Sequence, residues 1–101
     1  MRVATTQNFD AIVAENPEIV IDFHAPWCGP CKSMEPILDS LDGNPLPIIK
    51  VDIDAETDLG IRFGVRGVPT FMILRSGDVV ASKVGAMASS AMRRWIEENR
   101  G

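Results

Sequence analysis

The sequence predicts an α/β domain in which a mixed central β-sheet is flanked by helices, with element order βαβαβαββα. Three observations predict it. Residues 19–23 and 48–53 are almost wholly apolar and rich in β-branched side chains, as central strands buried on both faces are. Segments with helical periodicity stand between the strand-like runs, which is the spacing of strand–helix–strand units. Residues 70–74 and 79–84 instead flank Arg75-Ser76-Gly77-Asp78, a turn short enough to make a hairpin.

The elements follow in order. Residues 2–5 form a short edge strand. Thr6 is placed to cap a helix over residues 8–15, whose apolar face is Phe9, Ile12 and Val13. Asn16-Pro17 ends that helix, and residues 19–23 make the first central strand. A helical pattern over residues 32–41 contains Pro36, whose ring and missing N–H predict a kink. Asp42-Gly43-Asn44-Pro45 reads as a loop, residues 48–53 as a second central strand, and residues 59–63 as a short helix. After the hairpin, residues 89–100 form an amphipathic helix with Met92, Trp95 and Ile96 inward and Arg93, Arg94, Glu97 and Glu98 outward. No internal repeat interrupts this order. The 101 residues suffice for one domain, residues 1–101, with a small core.

Composition narrows the function classes. A net charge of −4 leaves no electrostatic footprint for nucleic acid or for an anionic membrane surface. The segment Met1-Arg2-Val3-Ala4-Thr5-Thr6 has no apolar signal-like run, and no apolar stretch is long enough to span a bilayer. The expected location is cytoplasmic.

Chemistry is concentrated in Trp27-Cys28-Gly29-Pro30-Cys31-Lys32, which carries the only two cysteines. A Cys-x-x-Cys pair between a strand and a helix reads as a thiol–disulfide redox site. With Cys28 at the first helical turn, Cys31 lies one turn on along the same face, so the sulfurs can reach bonding distance. Free N–H groups and the positive dipole end there lower the pKa of a Cys28 thiolate and make it the attacking sulfur. Two other readings exist. A structural zinc site needs four ligands, and only His24 could join the cysteines. A purely structural disulfide closing so short a loop would restrain the unfolded chain little. Asp22 is the other notable residue. A lone carboxylate on an apolar strand loses hydration, which raises its pKa into the range of a general base, unless it lies exposed.

Several segments in sequence order resemble the thioredoxin family. These are Asp22-Phe23, Ala25 and Trp27 to Lys32, Pro36-Ile37-Leu38, Lys50-Val51-Asp52-Ile53-Asp54, Arg66-Gly67-Val68-Pro69-Thr70, Gly77-Asp78 and Lys83-Val84-Gly85-Ala86. The resemblance covers nearly the whole chain. It implies the thioredoxin fold and protein disulfide reductase activity. By the same resemblance, Cys28 is the exposed nucleophile and Cys31 the more buried resolving cysteine. Asp22 is the buried proton acceptor for Cys31, acting through water, and Lys50 is the lysine that tunes it. Trp27, Gly29, Pro30, Gly67, Val68, Pro69, Val84 and Gly85 match the family's docking surface, with a cis Val68–Pro69 bond that turns the Val68 backbone toward an extended substrate. Gly29-Pro30 between the cysteines accompanies reducing members.

The family carries no organic cofactor or metal. The implied electron donor is a thioredoxin reductase drawing on NADPH, and the chain's lack of tyrosine argues against glutaredoxin-like use of glutathione. Disulfide-containing proteins are the implied substrates, and a monomer is expected. A docking subunit of a larger enzyme and an oxidant or isomerase are the other functional classes. The intact dithiol weighs against the first, and Gly29-Pro30 against the second.

Two features depart from the family pattern. The segment joining the active-site helix to the strand of Lys50 is short, which leaves the length of that helix open. His24 stands where the family has tryptophan or another aromatic. It should share a strand face with Asp22 and donate a hydrogen bond to Asp54 in place of an indole N–H. A charged imidazole there would favour the Cys28 thiolate, whereas burial would oppose the charge.

Overall fold

A computed structural model describes residues 1–101. The elements are β1 (Arg2–Val3), α1 (Phe9–Glu15), β2 (Glu18–His24), α2 (Gly29–Leu41), β3 (Ile48–Asp52), α3 (Thr57–Arg62), β4 (Thr70–Arg75), β5 (Asp78–Val84) and α4 (Ser89–Asn99). Their order is the predicted βαβαβαββα. The five strands form one sheet in the order β1-β3-β2-β4-β5. The β1–β3 and β2–β3 pairs are parallel, and the β2–β4 and β4–β5 pairs antiparallel.

Each face of the sheet buries its own apolar layer. Ile19, Ile21 and Phe23 of β2 pack with Phe9 and Ile12 of α1 and Leu59 of α3. Val20 points the other way, into a layer with Met34, Leu38 and Leu41 of α2 and Met92 and Ile96 of α4. Strand alternation therefore puts Asp22 and His24 on the α2 side of the sheet. Phe23 is among the largest fully buried side chains. The expectation that residues 19–23 form a strand covered on both faces holds.

Local details differ from the sequence expectation, the edge strand β1 among them, which is two residues long rather than four. Thr6 does not cap α1. The Thr5 hydroxyl accepts the Asn8 N–H at 3.2 Å, and the Asn8 side-chain oxygen accepts the Thr5 N–H at 2.6 Å. Thr5 stands three residues before Asn8, the spacing that lets both groups be satisfied reciprocally, as in a capping box. The Thr6 N–H is turned to Glu56 Oε1 instead, at 2.8 Å. Next, α2 starts at Gly29 rather than residue 32, because Cys28 is its N-cap and Pro30 sits where a missing N–H costs nothing. Pro36 lies inside this helix, which continues through it to Leu41. Finally, α3 starts at Thr57, two residues ahead of the expected position.

The short connection after α2 leaves that helix at thirteen residues. The loop is closed by the Ile48 N–H on Asp42 Oδ1 at 2.7 Å and the Gly43 N–H on the Leu46 carbonyl at 2.8 Å, and its Asn44–Pro45 bond is cis. At the hairpin, Ser76 and Gly77 both have positive φ, 52° and 85°, as the twist-compatible two-residue turn demands. A bulge beside Ile73 and Leu74 follows, with Val80 as the extra residue on β5.

Candidate active site

The site begins where β2 ends. The chain leaves the sheet through Ala25 and Pro26, exposes Trp27, and enters α2 at Cys28. Cys28 has extended backbone geometry, φ −88° and ψ 107°, as an N-cap must. Its sulfur occupies the place of a capping oxygen and accepts the Cys31 N–H at 3.1 Å. Cys28 and Cys31 are joined as a disulfide, with Cα atoms 5.3 Å apart. The hydrogen bond reaches Cys28 and not its partner, so a negative charge at the helix N-terminus is favoured on Cys28.

The expected contrast in exposure is absent. Cys28 and Cys31 are each 4% exposed. In the disulfide both cysteines pack with Ala25, and Ile53 and Val68 lie against that group, so Cys28 is not the more open of the two. The difference between them lies in hydrogen bonding.

On the sheet face turned toward α2, Asp22 is 2% exposed, and its Oδ1 has no hydrogen-bond partner. Its registered neighbours are Lys50 on β3 and Phe71 on β4. Burial raises the Asp22 pKa from 3.8 to about 7, with the Lys50 charge opposing the rise and the Glu35 charge adding to it. Lys50 is not bonded to Asp22. Its ammonium donates to Glu35 Oε1 at 2.6 Å. Glu35 is absent from the sequence reading. The available signal was its position on α2, one turn beyond Cys31, but only the packing of α2 over β3 shows that it meets Lys50.

His24 does not bond Asp54. Trp27 Nε1 takes that acceptor, donating to Asp54 Oδ2 at 2.9 Å, although the Trp27 residue is 69% exposed. Main-chain pairing holds His24 in the sheet, where its carbonyl accepts the Ile53 N–H at 2.9 Å and its registered neighbour is Asp52. Burial is the largest cause of a lowered His24 pKa. Lys50 lowers it further, against Asp52 and Glu35. The imidazole is therefore neutral near pH 7, and the expected positive potential at Cys28 is not supplied.

A second loop closes the other side. Val68–Pro69 is cis, as the sequence predicts, and Pro69 is buried. The Thr70 hydroxyl donates to the Gly67 carbonyl, and the Gly85 N–H to the Pro69 carbonyl at 2.9 Å. Gly85 has φ 101°, which a side chain would strain. These bonds tie the end of β5, with its exposed Val84, to the loop whose Val68 touches the disulfide group. Gly29 and Pro30 are exposed at the start of α2. Trp27, Gly29, Pro30, Gly67, Val68, Pro69, Val84 and Gly85 thus lie on the loop before α2, the first turn of α2, the cis-proline loop and the end of β5, and of these Val68 packs against the disulfide group.

The thioredoxin family model matches residues 1–98. The chain belongs to the thioredoxin family. It is 37% identical to the thioredoxin of Bacillus subtilis over 99 residues, covering 95% of this chain and 94% of the relative. It is 38% identical to the thioredoxin of Pseudomonas aeruginosa over 93 residues, covering 89% and 85%. Among solved structures, Plasmodium falciparum thioredoxin superposes with a TM-score of 0.90 at 30% identity, covering 99% of this chain and all of that one. Fasciola hepatica thioredoxin superposes at 0.89, also at 30% identity and with the same coverage of this chain.

The mixed sheet flanked by four helices is therefore the thioredoxin fold, and the chain is a thioredoxin-type disulfide reductase, a thiol–disulfide oxidoreductase. No group of His, Cys, Asp and Glu is clustered to hold a metal ion. No helix is long and apolar enough to cross a membrane.

Proposed function

We propose that the protein is a general reductant of protein disulfides, working as a single domain over residues 1–101 through a mixed disulfide between Cys28 and its substrate. The Cys28 thiolate attacks one substrate sulfur. A Cys28–substrate disulfide forms, and the other substrate sulfur leaves as a thiolate. Cys31 gives its proton to Asp22 through water, and its thiolate attacks Cys28. The Cys28–Cys31 disulfide forms and the second substrate sulfur departs, so two electrons have passed to the substrate. The observation that carries this reading is the Cys28 sulfur at the α2 N-terminus, accepting the Cys31 N–H.

Asp22 is the base because a carboxyl with a pKa of about 7 is matched to proton transfer near neutral pH. Lys50 tunes it as the cation registered beside it on β3. Trp27, Gly29, Pro30, Gly67, Val68, Pro69, Val84 and Gly85 would receive an extended substrate segment. Gly67, which has no side chain, lets a partner's backbone approach beside Val68, where an extended segment can pair. Re-reduction falls to a thioredoxin reductase using NADPH, and the protein works as a cytoplasmic monomer.

The test is insulin reduction with dithiothreitol as donor. Cys28→Ser should abolish turnover, and Cys31→Ser should accumulate a mixed disulfide visible on non-reducing electrophoresis. Turnover undiminished in Cys28→Ser would refute the mechanism.

A further inference from the structure

Lys50 and Asp22 are registered partners on adjacent parallel strands, with side chains on the same sheet face. A lysine beside a buried carboxylate is the ordinary recipe for an ion pair, which would satisfy the orphaned Asp22 Oδ1. That pair is not made. The only carboxylate the Lys50 ammonium touches is Glu35, at 2.6 Å, on the helix packed above the strands. Lys50 has a 17% exposed side chain and Glu35 a 49% exposed one, so this pair keeps part of its hydration. A Lys50–Asp22 pair would have to desolvate both charges.

We propose that Glu35 is a positioning residue for the Cys31 proton acceptor: it anchors the Lys50 ammonium on the solvent side of the site and so withholds it from Asp22. The proposal rests on the reading of Asp22 as that acceptor. One cation stands between two carboxylates, and the better-hydrated carboxylate takes it. Asp22 then lacks the close positive charge that would hold its proton off. It can accept the Cys31 proton as Cys31 turns on the mixed disulfide, with the proton ending on the Asp22 carboxyl and the electron pair on the Cys31 sulfur.

The groups facing Asp22 are few. From β3 comes Lys50, from α2 Glu35, and from its own strand His24, two residues on along the same face. Its registered partner on β4 is the uncharged Phe71. The directions in which Lys50 and Glu35 act on the Asp22 pKa agree with the geometry. His24 is neutral near pH 7, which leaves Glu35 as the residue deciding where the Lys50 charge sits.

The experiment has two readouts. Carboxyl-carbon NMR titrates Asp22 in the oxidised protein, independently of catalysis. Single-turnover decay of a Cys28 mixed disulfide with a chromogenic thiol reads the resolving step against pH. Glu35→Gln keeps the size and removes the charge. It should lower the Asp22 titration midpoint by roughly one pH unit, the low end of what a nearby opposite charge does to a carboxyl. The pH profile of resolution should move down with it. Glu35→Ala should do the same, Lys50→Met should raise the midpoint, and Glu35→Gln on top of Lys50→Met should shift it much less. An Asp22 midpoint unmoved in both Glu35 variants overturns the proposal. So does an equal shift with and without Lys50, which would reduce Glu35 to a direct repulsion. If the midpoint falls but the resolution profile stays, the anchoring stands and the reading of Asp22 as proton acceptor is refuted.

Discussion

Replacing Asp22 with asparagine should stabilise the oxidised protein near neutral pH, although the position is almost fully buried. The folded carboxyl has a pKa of about 7 against an ordinary 3.8, because burial penalises its charge. A raised folded pKa means that the folded state holds its proton more tightly than the unfolded state does. Ionisation therefore costs stability as pH rises from the unfolded pKa through the folded one. About three pH units at 1.36 kcal/mol each give a cost of about 4 kcal/mol at and above pH 7, falling to about half a kcal/mol at pH 4. Asparagine has the same shape and no charge, but it keeps a poorly satisfied polar group. The net gain should be roughly 2–4 kcal/mol near neutrality. For a domain of this size, that raises the melting temperature by about 10 °C or more. The assay is urea unfolding of the oxidised parent and Asp22→Asn between pH 4 and pH 8. The difference should grow with pH across that window and then level off. A difference independent of pH, or a destabilised variant at pH 7, would show that the carboxylate is paired or hydrated, and would refute the reasoning.

Two further outcomes are expected. His24 should titrate by proton NMR below the ordinary imidazole value of 6.5, since burial and Lys50 both disfavour its charged form; because its folded pKa is lowered, the stability present above the unfolded value is lost as pH falls from there through the folded one. A midpoint at or above 6.5 would mean that the ring has found a carboxylate after all. Leu38→Ala, in the fully buried layer under α2, should cost about 2–5 kcal/mol in urea unfolding through lost transfer energy and the cavity left behind, and a loss below about 1 kcal/mol would contradict the packing described for that layer.

Much of the site was legible because its determinants are local. Cys28 and Cys31 are one helical turn apart, and a strand followed by Gly29-Pro30 sets where that turn starts. Asp22 was legible as a buried acid because every residue from Ile19 to Phe23 except itself is apolar. The cis Val68–Pro69 bond was expected from the segment around it. The cis Asn44–Pro45 bond lies in a loop without such a cue and was not. The capping role expected of Thr6 is not made, because Thr5 and Asn8 bond each other across the turn that leads into α1, and only the chain's path chooses between Thr5 and Thr6.

The sequence by itself determined the element order, the redox pair, the buried aspartate and the two apolar layers, because each follows from spacing within one strand or one helical turn. Only the tertiary structure decided which partner each polar group takes. Asp54 is reached by the Trp27 indole and not by His24. Lys50 goes to Glu35, fifteen residues away on another element, and not to the aspartate beside it in the sheet. The two cysteines are equally buried. Such choices are competitions among groups brought together from distant parts of the chain, settled by which of them keeps its contact with water. That contact exists only once the helix has packed on the sheet.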